Sequence, residues 1–184
     1  MPGGLLLLNG PPGIGKSTVA RLLVESRPLA LCLDVDLLRR SLGGWMEQPE
    51  ESGRLARDLT IAAAAQHLRA GHAGVVPQYL GKLGFIERLE RLAAEHSASF
   101  LRVVLLDAKG SAASRFLARH EAPGATEQHQ EAAAMGGGEA GFGELYDALL
   151  GVVGARPDAI VVASTARDAV RTCADVAAAV DGRW

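Results

Sequence analysis

The sequence predicts an α/β domain in which a parallel β-sheet is covered by helices on both faces. Short, continuous apolar runs alternate with segments of helical period along most of the chain. The loops joining them are short, as βαβ units require. The first apolar run leads straight into a glycine-rich turn and then a helix. The length agrees: 184 residues suit one domain, with room at most for a small mobile subdomain. A chain of this size buries a sufficient core without disulfides or a structural metal.

The elements follow in order. Gly4 to Asn9 is an apolar run that suits a strand buried on both faces. Residues 16–26 carry Val19, Leu22 and Leu23 at helical spacing, and Leu29 to Val35 forms a second buried strand. Glu51 to Ala70 is the longest helical stretch, with Leu55, Leu59, Ala62, Ala63 and Gln66 on one face. Gly74 to Leu80 is a third strand, interrupted by Pro77 near its end, and residues 84–96 are amphipathic through Phe85, Ile86, Leu89 and Leu92. Phe100 to Leu106 is the fourth strand and Ser111 to His120 a helix. Gly143 to Val153 is helical, Ala159 to Ala163 the fifth strand and Ala169 to Val180 the closing helix. Residues 121–142 hold almost no large apolar side chain, so this segment is expected to be mobile.

Composition narrows the function. Nineteen Lys and Arg face 21 Asp and Glu, a net charge of -2, which argues against a broad nucleic-acid or anionic-membrane surface. Cys32 and Cys173 stand apart in apolar runs without a CxxC partner, as small hydrophobes of a reducing compartment do. His67, His72, His96, His120 and His129 show no metal-ligand spacing. The apolar start lacks a basic flank and is too short for a signal peptide, and no run approaches a membrane span. The expectation is a cytoplasmic protein, monomer or homodimer, with no nucleic-acid or membrane partner. Its cations are nearly all arginine; only Lys16, Lys82 and Lys109 are lysines, so each kept lysine invites a reason.

Lys16 has one. Gly10-Pro11-Pro12-Gly13-Ile14-Gly15-Lys16-Ser17-Thr18 fits GxxxxGK[ST] between a predicted strand and a predicted helix. Such glycines let backbone N–H groups converge into an anion nest, which the positive end of the helix dipole reinforces. Lys16 supplies a compact charge for β- and γ-phosphates, and Ser17 offers a hydroxyl to Mg²⁺. This spacing implies a site for the phosphates of a nucleoside triphosphate.

Other polar residues cluster where strands end, the edge at which open parallel sheets bind ligands. Asp34 and Asp36 follow the second strand. One carboxylate can hold Mg²⁺ through water and the other can take a proton from an attacking hydroxyl. The plainer alternative makes Asp36 a helix cap. Arg115 and Arg119, four apart on one helix face, can neutralise charge on a transferred phosphoryl group, or can simply be solvated. Arg39, Arg40, Arg54 and Arg57 lie between the second and third strands, with Trp45 among them; if two face a pocket, the acceptor is anionic or rich in hydroxyls. Gln78 follows the third strand, and Ser17 and Asp34 are the candidate oxygen ligands for Mg²⁺. Gln78 and Tyr79 then suit polar contacts to an acceptor, or Tyr79 packs on the following helix.

Taken in order, GxxGxGKS, D-x-D, a strand ending in LLD and a helix reading R-x-x-x-R resemble the P-loop small-molecule kinases. That group includes the shikimate and gluconate kinases, chloramphenicol phosphotransferase and the nucleoside monophosphate kinases. The resemblance implies a P-loop fold with five parallel strands in the order 2-3-1-4-5, and use of ATP and Mg²⁺. It further implies an acceptor-binding region over residues 37–72 and a lid over 111–142. By motif position Lys16 and Ser17 match the phosphate and metal residues, Asp36 the base, and Arg115 and Arg119 the lid arginines. Gly10, Gly13, Ile14, Gly15 and Thr18 would hold the phosphates, with Arg115 beside them, and Ser164 and Thr165 fall at the adenine loop. Absence of a GGG after the third strand argues against shikimate as acceptor. The resulting expectation is transfer of the γ-phosphate of ATP to a hydroxyl of a small metabolite or antibiotic-like molecule. The competing expectations are a nucleoside monophosphate kinase and a nucleotide-binding switch that transfers nothing.

Overall fold

In the computed structural model of the chain, residues 3–121, 138–164, 168–181 and 183–184 are described. Five parallel strands form one sheet: β1 (Gly4–Asn9), β2 (Leu31–Cys32), β3 (Gly74–Pro77), β4 (Ser99–Leu106) and β5 (Ile160–Ala163). Their order is β2-β3-β1-β4-β5. The described helices are α1 (Lys16–Glu25), α2 (Val35–Arg40), α3 (Pro49–Arg69), α4 (Gly84–Glu95), α5 (Lys109–Glu121), α6 (Gly138–Ala155) and α7 (Ala169–Val180).

The central strand explains the layering. Leu5 to Leu8 of β1 are at most 1% exposed, and β1 lies between β3 and β4, pairing Leu6 with Val75 and with Leu101. Side chains alternate across a strand. Leu5 and Leu7 therefore join Ala56, Leu68, Ile86 and Leu89 of α3 and α4. Leu6 and Leu8 join Val19, Leu23, Val176 and Val180 of α1 and α7 on the opposite face.

Four departures from the sequence expectations bear on the site. The second strand is short: Leu29 is 70% exposed with φ +60°, and Val35 already belongs to α2. On α3 the buried face is Ser52, Ala56, Thr60, Ala64 and Leu68, while Leu55 and Leu59 are exposed. Small residues hold the middle of that face because they let the helix lie close against the sheet and α4; leucines in place of Ala56, Thr60 and Ala64 would overfill the space. β3 stops at Pro77, since the following backbone turns away to bring Leu80 against Asn9.

The fourth departure is α6, which begins at Gly138 rather than Gly143. Phe142, inside the segment expected to bury little, is 0% exposed and packs on Phe116 at 5.2 Å between ring centroids. With Ala112, Ala113 and Tyr146 it makes a small core joining α5 to α6. Of the expected lid, residues 111–121 and 138–142 are helical and 122–137 lie outside the described residues.

Both cysteines are half-buried; burial, then the nearby Asp34 carboxylate, pushes the Cys32 thiol up to about 11. No helix among the described residues is long and apolar enough to cross a membrane.

Candidate functional site

Because all five strands run in parallel, their C-terminal ends share one edge, and there the next residues are polar. Asn9 ends β1, while Asp34, Gln78, Asp107 and Ser164 follow the other four strands closely. The glycine loop rises from the middle of this edge. Gly10 needs its lack of a side chain, since a Cβ would come within 2.7 Å of the Leu105 carbonyl. Gly15 takes φ +108° as the N-cap of α1, so the helix starts at Lys16 with its N–H groups facing the loop. The Lys16 ammonium lies over that loop, 2.9 Å from the Gly10 carbonyl and 3.0 Å from that of Pro11. Ser17 is partly buried and Thr18 exposed beside it.

Asn9, which no sequence motif singles out, anchors the start of the loop. Its Oδ1 accepts from the amides of Gly10 at 2.8 Å and Leu80 at 2.9 Å, and its Nδ2 donates to the Leu80 carbonyl at 3.1 Å. The available signal was a polar residue closing an apolar run next to glycine.

The two aspartates after β2 divide differently from the helix-cap alternative. Asp34, not Asp36, caps α2: its Oδ1 accepts from the amides of Asp36 at 3.0 Å and Leu37 at 3.3 Å. Asp34 has the extended backbone that an N-cap requires, whereas Asp36 already lies inside the first turn. Asp36 is partly buried on the same sheet edge as the loop. Beyond β3, Gln78 has a buried Oε1 without a hydrogen-bond partner, next to a backbone amide that bonds Leu8. The Tyr79 hydroxyl donates to the Leu145 carbonyl at 3.0 Å, which ties it to α6 rather than to the following helix; burial raises its pKa.

The arginines separate into three kinds. Arg54 is 57% exposed and pairs with Glu51 and Asp58 of the same helix. Arg39 and Arg40 brace the chain: Arg39 donates to the Ser52 hydroxyl at 3.0 Å and lies over the Trp45 ring, and Arg40 Nε donates to the Asp36 carbonyl at 3.2 Å. Trp45 is buried, at 9% exposed. Arg57 is partly buried, and Asp58 beside it is taken by Arg88 and Arg54. Burial, then the Arg88 guanidinium and more weakly Arg39, hold the Arg57 pKa below its usual value.

Beside the loop lies a cavity of about 470 Å³, lined by Gly13, Gly15, Thr18, Arg115, Ser164 and Thr172. Arg115 was expected to reach phosphates. Its terminal nitrogens each make one bond, to Asp107 at 2.5 Å and to the Ser164 carbonyl at 2.9 Å. The Arg119 side chain and Thr165 lie outside the described residues.

Hard oxygen donors at this edge, the Ser17 hydroxyl, the Asp34 carboxylate and the orphaned Gln78 oxygen, suit Mg²⁺ held largely by water and phosphate. Among the described residues no group of three or more His, Cys, Asp or Glu could hold a metal without such help.

A glycine loop opening α1 at the middle of a parallel 2-3-1-4-5 sheet defines the class: this is the fold of the P-loop small-molecule kinases. The chain belongs to the AAA domain family, whose model matches residues 5–137. Among solved structures it is similar to the tunicamycin resistance protein of Deinococcus radiodurans, at 17% identity and TM-score 0.63 over 97% of this chain and 96% of that one. It is also similar to a Chloroflexus aurantiacus protein provisionally described as a kinase, at 15% identity and TM-score 0.68 over 100% and 98%. A gluconokinase from Sinorhizobium meliloti matches at 16% identity and TM-score 0.59 over 96% and 90%. At these identities the likeness is one of fold. No curated protein sequence matches the chain.

Proposed function

We propose that this protein is an ATP-dependent kinase that phosphorylates a hydroxyl of a small metabolite or antibiotic-like molecule. The observation that carries the reading is the Lys16 ammonium folded over a left-handed glycine loop at the sheet edge that also carries Asp36. The loop amides and Lys16 would bind the β- and γ-phosphates. Asp36 would accept the acceptor's hydroxyl proton as that oxygen bonds to the γ-phosphorus. The bond from γ-phosphorus to the bridging oxygen then breaks, and its electron pair stays with ADP. Mg²⁺, when bound, neutralises charge on the phosphates; Ser17 and, through water, Asp34 would hold it.

The acceptor-binding region is residues 37–72. Arg57 supports an acceptor with an anionic group, because a partly buried guanidinium beside two others is relieved by an anion. The same observation favours a nucleoside monophosphate as the second reading. Incubation with γ-labelled ATP and a panel of sugars, hydroxy acids, aminoglycoside-like compounds and nucleoside monophosphates separates the two by the mass of the labelled product. Asp36→Asn should abolish transfer while nucleotide still binds. Transfer at the wild-type rate in that variant would remove Asp36 as the base, and hydrolysis without any labelled acceptor would favour the switch.

A further inference from the structure

Asp107 directly follows β4. Its side chain is only 7% exposed, and its partner Arg115 is 13% exposed. The pair sits in a connected set of bonds. Arg115 gives one terminal nitrogen to Asp107 and the other to the Ser164 carbonyl. The Ser164 hydroxyl in turn reaches the Ile14 carbonyl inside the glycine loop at 3.3 Å, and the Ser164 amide bonds the Leu106 carbonyl at 2.7 Å. The Asp107 carbonyl accepts from the Tyr146 hydroxyl at 2.6 Å. Through these bonds α5, α6, β5 and the glycine loop are fixed relative to one another.

A buried ion pair is not in itself a reason for stability, since well-packed apolar residues commonly do as well. This one has a second property: Arg115 forms a wall of the cavity beside Gly13, Gly15 and Thr18. With both terminal nitrogens engaged, its guanidinium keeps one orientation before any ligand arrives, and its Nε is buried without a partner. A charged wall oriented in advance spares the ordering cost of binding. Each terminal nitrogen spends one N–H on these bonds and keeps a second N–H to meet a ligand.

We infer that Asp107 is a positioning residue. It fixes Arg115 as a preorganised wall of the cavity beside the glycine loop, so the pair governs nucleotide affinity. The inference rests on the reading that the glycine loop binds a nucleoside triphosphate.

The test is calorimetric titration of the full chain with a non-hydrolysable ATP analogue, for wild type, Asp107→Asn, Arg115→Met and the double variant. Each single variant should raise the dissociation constant on the order of tenfold. The double variant should match Arg115→Met alone, because Asp107 acts only through Arg115. In the kinase assay the KM for ATP should rise while kcat stays within about twofold. Should Asp107→Asn fail to fold, Arg115→Met and the double variant, which leave no lone buried guanidinium, still give the comparison. Unchanged affinity in Asp107→Asn, or a separate loss from it in the Arg115→Met background, would overturn the inference while leaving the triphosphate site intact. No binding by the wild type would instead overturn the triphosphate reading, and this inference with it.

Discussion

Asn9→Ala tests how the site edge is built. Asn9 is 2% exposed and makes three buried hydrogen bonds, to the Gly10 amide and to the amide and carbonyl of Leu80. At a net value of about 1 kcal/mol each, their loss costs about 3 kcal/mol, and backbone groups left buried without partners take the total toward about 4 kcal/mol. For a chain of this size that is a fall of roughly 6–16 °C in Tm. The assay is guanidinium denaturation, read as a lower midpoint at constant slope. Asn9→Asp sharpens it. The aspartate keeps both accepted bonds but turns an oxygen toward the Leu80 carbonyl, so only its protonated form can donate there. Its folded pKa is therefore raised above the unfolded value of about 3.9. Stability is retained below the unfolded pKa and lost as pH rises through the folded one. A cost under about 1 kcal/mol for Asn9→Ala would refute the reasoning. So would an Asn9→Asp stability that tracks the wild type from pH 4 to 8.

Phe142→Ala should cost about 3–5 kcal/mol, measured by thermal melting, because the ring is fully buried against Phe116 and Tyr146; a negligible loss would mean that α6 begins nearer Gly143. Arg57→Ala should raise the KM for the acceptor on the order of tenfold while leaving that for ATP unchanged, whereas Arg54→Ala should alter neither, since exposed pairs contribute little. The reverse pattern would move the acceptor site to the Arg54 face of α3.

Much of the architecture was legible because it is written in local patterns. Leu5 to Leu8 announce a buried central strand, and GxxxxGKS places glycines where positive φ and close approach are needed. The arrangement of polar residues at strand ends followed from parallel strands sharing one edge. The strand order itself came with the family resemblance rather than with any periodicity.

The site was less legible, for a common physical reason. Spacing says which residues share a face, not what that face meets. Leu55 and Leu59 share a face of α3, but packing density gave the interior to Ala56, Thr60 and Ala64. Asp34 and Asp36 are two residues apart, and where β2 ended decided which of them capped α2. Asn9 and Leu80 lie 71 residues apart, Arg115 and Ser164 49 apart, and both contacts exist only once the strands are side by side. The sequence alone determined a parallel α/β sheet carrying a phosphate loop with one lysine placed to serve it. The tertiary structure decided which aspartate stays with the backbone, which arginine is left beside like charges and which is pinned to the cavity wall. Those outcomes depend on burial and on partners distant in the chain, and neither is contained in local sequence.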